Sequence, residues 1–463
     1  SLGLSKALSA IGLPAACLSI AFLRSTNLIL YLLLPHLLSS IIEHVNSRDN
    51  AIERKAATPA DQLQKTMAAI EAKEGNRLQS SVQAHAISSF PPLWLFAFLY
   101  YTDIGSLYMV FLSYWASSKR RPFLSAAVSV CVSYRREDQT HTLDSQAGLG
   151  SLLFRQTNII WIAFIVWARS IDGLRQHGLQ DPPASALTHN GAKRLAASVV
   201  RLLASPPAWK AVISTTGPYL PVFAAFGAFL KWNGGIVLGD KANHVAGVHF
   251  PQLCYFAAAS TLFAWPTLLL GGGTSPLRKL RRTLQDLASS PIASLVSLAI
   301  ILIVIHRFTI FHPFTLADNR HYVFYVRRYI LDPHPYARYV LGPIYLICFK
   351  LWYDHLKHTQ SLLWIVGLAG STALVLVPSP LIEPRYFLVP YVFMRLHGAS
   401  GRSRKQNTAG GGATRSTKEQ SSCITSGLIE LVFNTVVNLV IVSIFLYRPF
   451  KWPTEEGNQR FMW

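Results

Sequence analysis

Charge is scarce in this sequence. Asp, Glu, Lys and Arg make up 14% of 463 residues, and hydrophobic residues make up 51%. A soluble domain carries about a quarter of its residues as charged side chains. A water-soluble fold is therefore excluded, and the positive mean hydropathy of +0.30 agrees. Cysteine is sparse as well. The five present (Cys17, Cys131, Cys254, Cys348 and Cys423) are scattered, with no C-x-x-C and no Cys/His pair at metal spacing. Neither a zinc site nor a disulfide framework is supported. No P-loop, G-x-S-x-G or H-E-x-x-H occurs, so ATP-driven transport and metalloprotease chemistry gain no support. No basic n-region with a cleavage site follows Ser1, so no signal peptide is expected. Internal repeats are missing, which counts against a transporter built from paired broken helices.

What the chain does have is apolar stretches close to the ~20 residues that cross a bilayer. They fall at 8–22, 27–45, 84–101, 209–230, 248–270, 291–311, 339–352, 362–378 and 428–447. Shorter or broken ones lie at 105–116, 123–132, 149–168 and 387–396. The expected architecture is all-α: one polytopic transmembrane bundle over 1–463. Residues 47–80 are polar and read as a cytosolic loop with room for a helix. Residues 398–422 are rich in Gly, Ser, Thr and Arg and are expected to be a disordered, basic cytosolic loop. Residues 131–147 interrupt an apolar run and are expected to be an insertion.

The net charge of +21 comes from 43 Lys and Arg against 22 Asp and Glu. These cations sit in short loops between spans, the pattern of the positive-inside bias, so nucleic acid is not the expected partner. The basic loops contain Lys119–Arg121, Arg169–Arg201, Arg278–Arg282 and Arg402–Lys418. Placing them in the cytosol puts 101–103, 155–158, 231–249, 312–334 and 383–386 on the opposite side. The tail at 448–463 follows them there.

Those opposite segments carry the chemistry. His312–Tyr322 reads HPFTLADNRHY, bringing Asp318, Arg320 and His321 within four residues. A guanidinium donates two parallel hydrogen bonds to a phosphate; the alternative is a solvated loop with Asp318 as a helix cap. In LIEPRYF, Glu383 and Arg385 flank Pro384 at the end of an apolar span. Ionisable groups there cost about 2.5–3.5 kcal/mol each on insertion scales, so they need a ligand or each other. In FRQTN, Arg155, Gln156 and Asn158 either line a cavity or hydrogen-bond between helices. Asp103 follows an aromatic run and serves the site or caps the next helix. Asp240 and His244 lie in a loop with His249; His244 and His249, five apart, do not share a helical face, so a metal pair is not expected.

Together HPF-x-LADNRHY, VRR, LIEPRYF-x-x-PY, FPP-x-x-x-F-x-F-x-YYTD, FRQTNI-x-W, GDK-x-x-H-x-x-x-HFPQ-x-x-YF and the terminal QRFMW closely resemble one family. It is the endoplasmic-reticulum dolichyl-phosphate-glucose-dependent α-1,2-glucosyltransferases, and the resemblance spans about 1–463. It implies a GT-C type bundle with luminal loops in the endoplasmic-reticulum membrane. The donor would be dolichyl phosphate glucose, and the acceptor the diglucosylated high-mannose oligosaccharide on dolichyl pyrophosphate. Transfer would be inverting and need neither cofactor nor metal. Under that resemblance Asp318, Glu383 and Asp103 are the candidate catalytic carboxylates. Arg320, His321 and Arg385 would pair the donor phosphate. Arg155, Gln156, Asn158, Asp240 and His244 would line the acceptor side of the cavity.

Two departures stand out. The family carries an acidic pair in a first luminal loop, whereas here the first acidic residue is Glu43. The expectation is an N-terminally truncated member that lacks its catalytic base and is inactive as written. Residues 131–147 are foreign to the pattern, as a retained intron or a lineage-specific insertion would be. The alternatives are a non-catalytic polytopic transporter and a sister GT-C glycosyltransferase with another acceptor.

Overall fold

The computed structural model describes residues 20–55, 73–99, 101–119, 155–235, 247–271, 275–312, 319–399, 412–451 and 457–462. The suspected insertion at 131–147 and the residues Asp240, His244 and Asp318 lie outside them.

Nearly every described element is a helix. In chain order they are α1 (Ile20–Lys55), α2 (Lys73–Ser88), α3 (Pro91–Ala97), α4 (Asp103–Lys119), α5 (Asn158–Gln176), α6 (His189–Leu203), α7 (Pro206–Thr216) and α8 (Leu220–Asn233). Then come α9 (Pro251–Trp265), α10 (Pro276–Ser289), α11 (Pro291–Phe308), α12 (Tyr322–Val326), α13 (Ala337–Val340), α14 (Gly342–Leu356), α15 (Leu362–Leu376), α16 (Leu388–Ala399) and α17 (Gly412–Tyr447). Seven of them (α3, α7, α8, α9, α10, α11 and α14) carry proline in the first turn. Its fixed φ suits a helix start, and its missing N–H is not needed there.

Among the described residues, five helical stretches are long and apolar enough to cross a membrane: Arg24–Ser47, Pro206–Asn233, Pro251–Leu270, Pro291–Phe308 and Gln420–Tyr447. The apolar α15 is shorter. The chain is thus an all-α polytopic membrane protein.

Two expectations need correction. The stretch 84–101 is not one span: α2 stops at Ser88 and α3 starts at Pro91. Pro91 and Pro92 supply no N–H, and Pro91 pushes Phe90 into extended backbone (φ −49°, ψ 120°). The stretch 398–422 is not irregular throughout, because α17 begins at Gly412. The stretch 387–396, read as short or broken, is indeed a short helix, and it lies at the centre of the bundle. On α16, Leu388, Tyr391, Val392, Phe393 and Leu396 are buried in the main core with residues of α1, α2, α4, α5, α9 and α15. The Phe393 ring meets Phe111, Tyr114, Trp161 and Phe164 at centroid distances of 4.6–5.7 Å.

Hydrogen bonds fix which helix ends lie together. Tyr31 Oη of α1 donates to the Ser88 carbonyl at 3.0 Å, and Asn438 Nδ2 of α17 donates to the Ser89 carbonyl at 2.9 Å. At the other end of α2, Gln420 Nε2 of α17 donates to Asn76 Oδ1 at 3.1 Å. So α17 runs parallel to α2, and α1 runs antiparallel to both. One end of the bundle therefore gathers the start of α1, the end of α2, α3, the start of α4 and the end of α17.

Candidate active site

Asp103 opens α4 at that end, and only 2% of it is exposed. Arg155 sits in the turn just before α5, where its carbonyl accepts from the Asn158 N–H at 3.1 Å. Its Nη1 donates to Asp103 Oδ1 at 2.5 Å. The other carboxylate oxygen, Asp103 Oδ2, is buried and has no hydrogen-bond partner among the described residues. Below this pair Ser106 Oγ donates to Asn158 Oδ1 at 3.0 Å, bolting α4 to α5. Asn158 thus takes part in the helix–helix bonding offered as its alternative role, and Gln156 is half-buried beside Arg155.

A third element completes the cluster. Ile382 is buried, and the chain then turns through the 3-10 segment Pro384–Phe387 directly into α16. Glu383 and Arg385 form an ion pair with each other, the alternative that the sequence left open. The pair does not stand alone. The Tyr386 ring carries the Arg155 guanidinium at 4.7 Å and that of Arg385 at 5.5 Å, and Arg385 also lies 5.8 Å from the Tyr101 ring centre. Cations over aromatic faces are held by the ring quadrupole, more strongly away from water. Asn27 Nδ2 of α1 fixes the aromatic wall by donating to the carbonyls of Leu99 (2.8 Å) and Tyr101 (2.7 Å).

The electrostatics are asymmetric. Burial pushes the Asp103 carboxyl above the usual carboxylate range, while Arg155 and Arg385 pull it back and Glu383 adds to the rise. Such a group holds a proton more firmly than an exposed carboxylate and is a better base at neutral pH. Nearby, the chain at Gly247–His249 is pinned to the end of α15: Gly247 N–H donates to the Pro378 carbonyl (3.0 Å) and His249 N–H to that of Val377 (2.9 Å). Gln252 Nε2 then holds the Leu381 carbonyl at 2.8 Å, under the site turn. The His249 ring is buried, which pushes its pKa down to about 4 against the backbone of Pro380 and Ser379.

Arg320 and His321 lie on a second segment at the same end. Their backbone pairs with the C-terminal tail: Met462 N–H donates to the Arg320 carbonyl (2.8 Å), and Tyr322 N–H to that of Met462 (2.9 Å). Arg320 Nη1 donates to Gln459 Oε1 at 2.7 Å. The tail is tied in turn to the end of α17, where Arg460 Nη1 donates to the Phe445 and Leu446 carbonyls at 2.5 and 3.0 Å. An apolar bridge leads from this segment to the first cluster, since Val323 and Ile382 share a small core with Leu331. No group of three or more His, Cys, Asp or Glu that could hold a metal occurs among the described residues.

Sequence reasoning missed the most buried ions. Arg395 of α16 and Glu430 of α17 are 1% and 0% exposed, with Nη2 to Oε1 at 2.8 Å. Thr267 Oγ1 donates to Glu430 Oε2 at 2.6 Å and accepts from Arg395 Nη2 at 3.2 Å. The signal was available: each is a lone ionisable residue inside an apolar stretch, which at membrane depth demands a partner.

These features define a polytopic helical membrane protein with a buried carboxylate and stacked guanidinium groups at one end of its bundle. The chain belongs to the DIE2/ALG10 family, whose model matches residues 1–396. It is 30% identical over 428 residues to an Arabidopsis thaliana protein, covering 83% of this chain and 76% of the relative. A Mus musculus protein is 30% identical over 408 residues (84% of this chain, 74% of the relative). A Homo sapiens protein is 31% identical over 399 residues, with the same shares covered. All three are named Dol-P-Glc:Glc(2)Man(9)GlcNAc(2)-PP-Dol alpha-1,2-glucosyltransferase. No solved structure matches the chain.

Proposed function

We propose that this protein transfers glucose from dolichyl phosphate glucose to the diglucosylated oligosaccharide on dolichyl pyrophosphate, in α-1,2 linkage and with inversion. The reaction takes place on the luminal face of the endoplasmic-reticulum membrane. The observation that carries this reading is the meeting of Asp103, Arg155, Glu383 and Arg385 from three remote stretches at one end of the bundle. In a displacement at the glucosyl carbon, one group must take the acceptor hydroxyl proton while cations stabilise the departing phosphate. That Asp103 Oδ2 is buried without a hydrogen-bond partner among the described residues supports Asp103 as the group that takes the proton. Arg155 and Arg385, both held against the Tyr386 ring, supply positive charge where the lipid phosphate forms. Glu383 orients Arg385. Arg320 and His321, with Asp318 beside them in sequence, form the second arm of the phosphate site.

The test is conversion of the diglucosylated to the triglucosylated lipid-linked oligosaccharide by microsomes whose own enzyme has been deleted. The protein is expressed there from its complete reading frame. Accumulation of the triglucosylated product is expected. Continued accumulation of the diglucosylated precursor, with the protein present and folded, would overturn the assignment.

A further inference from the structure

A groove of about 250 Å³ opens sideways on the bundle between α1, α2, α3 and α17. Tyr31, Leu32, Pro35, Trp94, Leu431 and Leu439 line it, over a floor at Ser88 and Ser89, where Pro91 ends α2. Its lips are apolar and turned outward: Leu32 is 61% exposed and Leu439 55%. Both sit on stretches long enough to span a bilayer, so the opening faces hydrocarbon.

Two helices give the same depth for it. On α1, Pro35 lies eight residues from Asn27, about 12 Å at 1.5 Å per residue. On α17, Leu439 lies eight residues from the helix end at Tyr447, again about 12 Å. The groove therefore begins in the layer beneath the charged end and runs down α17 as far as Leu431, about 24 Å from Tyr447. Its upper edge is continuous with the site: Asn27 grips the Tyr101 carbonyl, and the Tyr101 ring faces Arg385. Trp94 packs edge-on against Phe98 (4.8 Å) and Phe96 against Tyr101 (5.5 Å), so α3 forms an aromatic ramp from one to the other.

We propose that this groove holds the first isoprene units of the glucosyl donor, with the phosphate at Arg385 and the polyprenyl chain running over α3 between Leu32 and Leu439. This rests on the function proposed above and extends it. The chemistry selects the donor over the acceptor. The donor bond that breaks joins glucose to the lipid phosphate itself, so the donor chain must start one phosphate away from the reacting carbon. In the acceptor the reacting hydroxyl is separated from the pyrophosphate by a whole oligosaccharide, so its lipid is not obliged to begin here.

A polyprenyl phosphate glucose bearing a diazirine on its second isoprene unit tests this by photolabelling the full-length protein in phosphatidylcholine vesicles. Peptides containing 31–35, 94 and 431–439 are expected to carry the label, and unlabelled donor should compete it away. Label on other helices, or competition by phosphatidylcholine as effective as that by donor, would overturn the proposal. So would preferential labelling of the groove by an acceptor carrying the same diazirine. As a second measurement, filling the groove with Leu32→Trp and Leu439→Trp should raise the ratio of KM for a polyprenyl donor to KM for a donor whose phosphate carries only a methyl group by about tenfold; an unchanged ratio would count against it. Labelling is read whether or not glucose moves. A labelled groove without transfer would defeat the proposed function alone, and transfer with label elsewhere would defeat only the groove.

Discussion

Replacing Glu430 by alanine should destabilise the bundle far more than the loss of one hydrogen bond. Arg395 is 1% exposed, and Glu430 is the anion that neutralises it. Its Nε and Nη1 already lack partners among the described residues. Removing the carboxylate leaves a buried cation facing only the neutral hydroxyls of Thr267 and Tyr391 and costs about 3–5 kcal/mol. With unfolding entropy near 2.1 cal/mol/K per residue over the 463-residue chain, that corresponds to a fall of about 3–5 °C in melting temperature. Replacing both ions, as Arg395→Met with Glu430→Leu, removes the desolvation cost together with the attraction. That variant should melt within about 1–2 °C of the parent. Because α16 continues the Pro384–Phe387 turn, the single variant should also loosen the Arg385 end of the site and lower kcat, and the double variant should recover it. Thermal unfolding in detergent micelles, monitored by intrinsic tryptophan fluorescence, measures the effect. The reasoning is refuted if the single variant melts with the parent or if the double variant is the less stable of the two.

Three more outcomes are expected. Asp103→Asn keeps the size of the side chain but removes the proton acceptor, so kcat for glucose transfer should fall about 10²–10⁴-fold with KM little changed; a pure KM effect would assign Asp103 to binding instead. Tyr386→Leu removes the ring that faces both Arg155 and Arg385, and at about 1–2 kcal/mol for the desolvated cation–π contacts it should cost roughly tenfold in kcat/KM; Tyr386→Phe should retain most of the activity. His249 has a folded pKa near 4, below the unfolded value near 6.5. Its contribution is therefore complete above pH 6.5 and is lost as pH falls toward 4, about 3 kcal/mol in all. His249→Phe should flatten the melting-temperature profile over that window, and an unchanged slope would contradict the assignment.

Much of the candidate cluster was legible in the residues. Asp103, Arg155, Glu383 and Arg385 each interrupt or terminate an apolar run, and a charge that survives there needs a partner. Loop charges then placed their segments on one face. The partners themselves were not legible: Arg155 bonds a carboxylate 52 positions earlier, and Tyr386 serves two arginines at once. Arg395 and Glu430 escaped notice because each is a single ion in an apolar stretch, with no local motif around it.

The sequence by itself determined the class of protein. Low charge and repeated apolar stretches leave a helical membrane bundle, since only intrahelical hydrogen bonds satisfy a backbone in hydrocarbon without partners. Proline placement determined where many helices start and why 84–101 breaks. Only the tertiary structure decided that the short stretch 387–396 forms the centre of the bundle. Hydrophobicity reports burial away from water, and lipid and protein interior look alike to it. Which charges meet is a matter of packing over tens to hundreds of residues, and helix order in space supplies that information where local pattern does not.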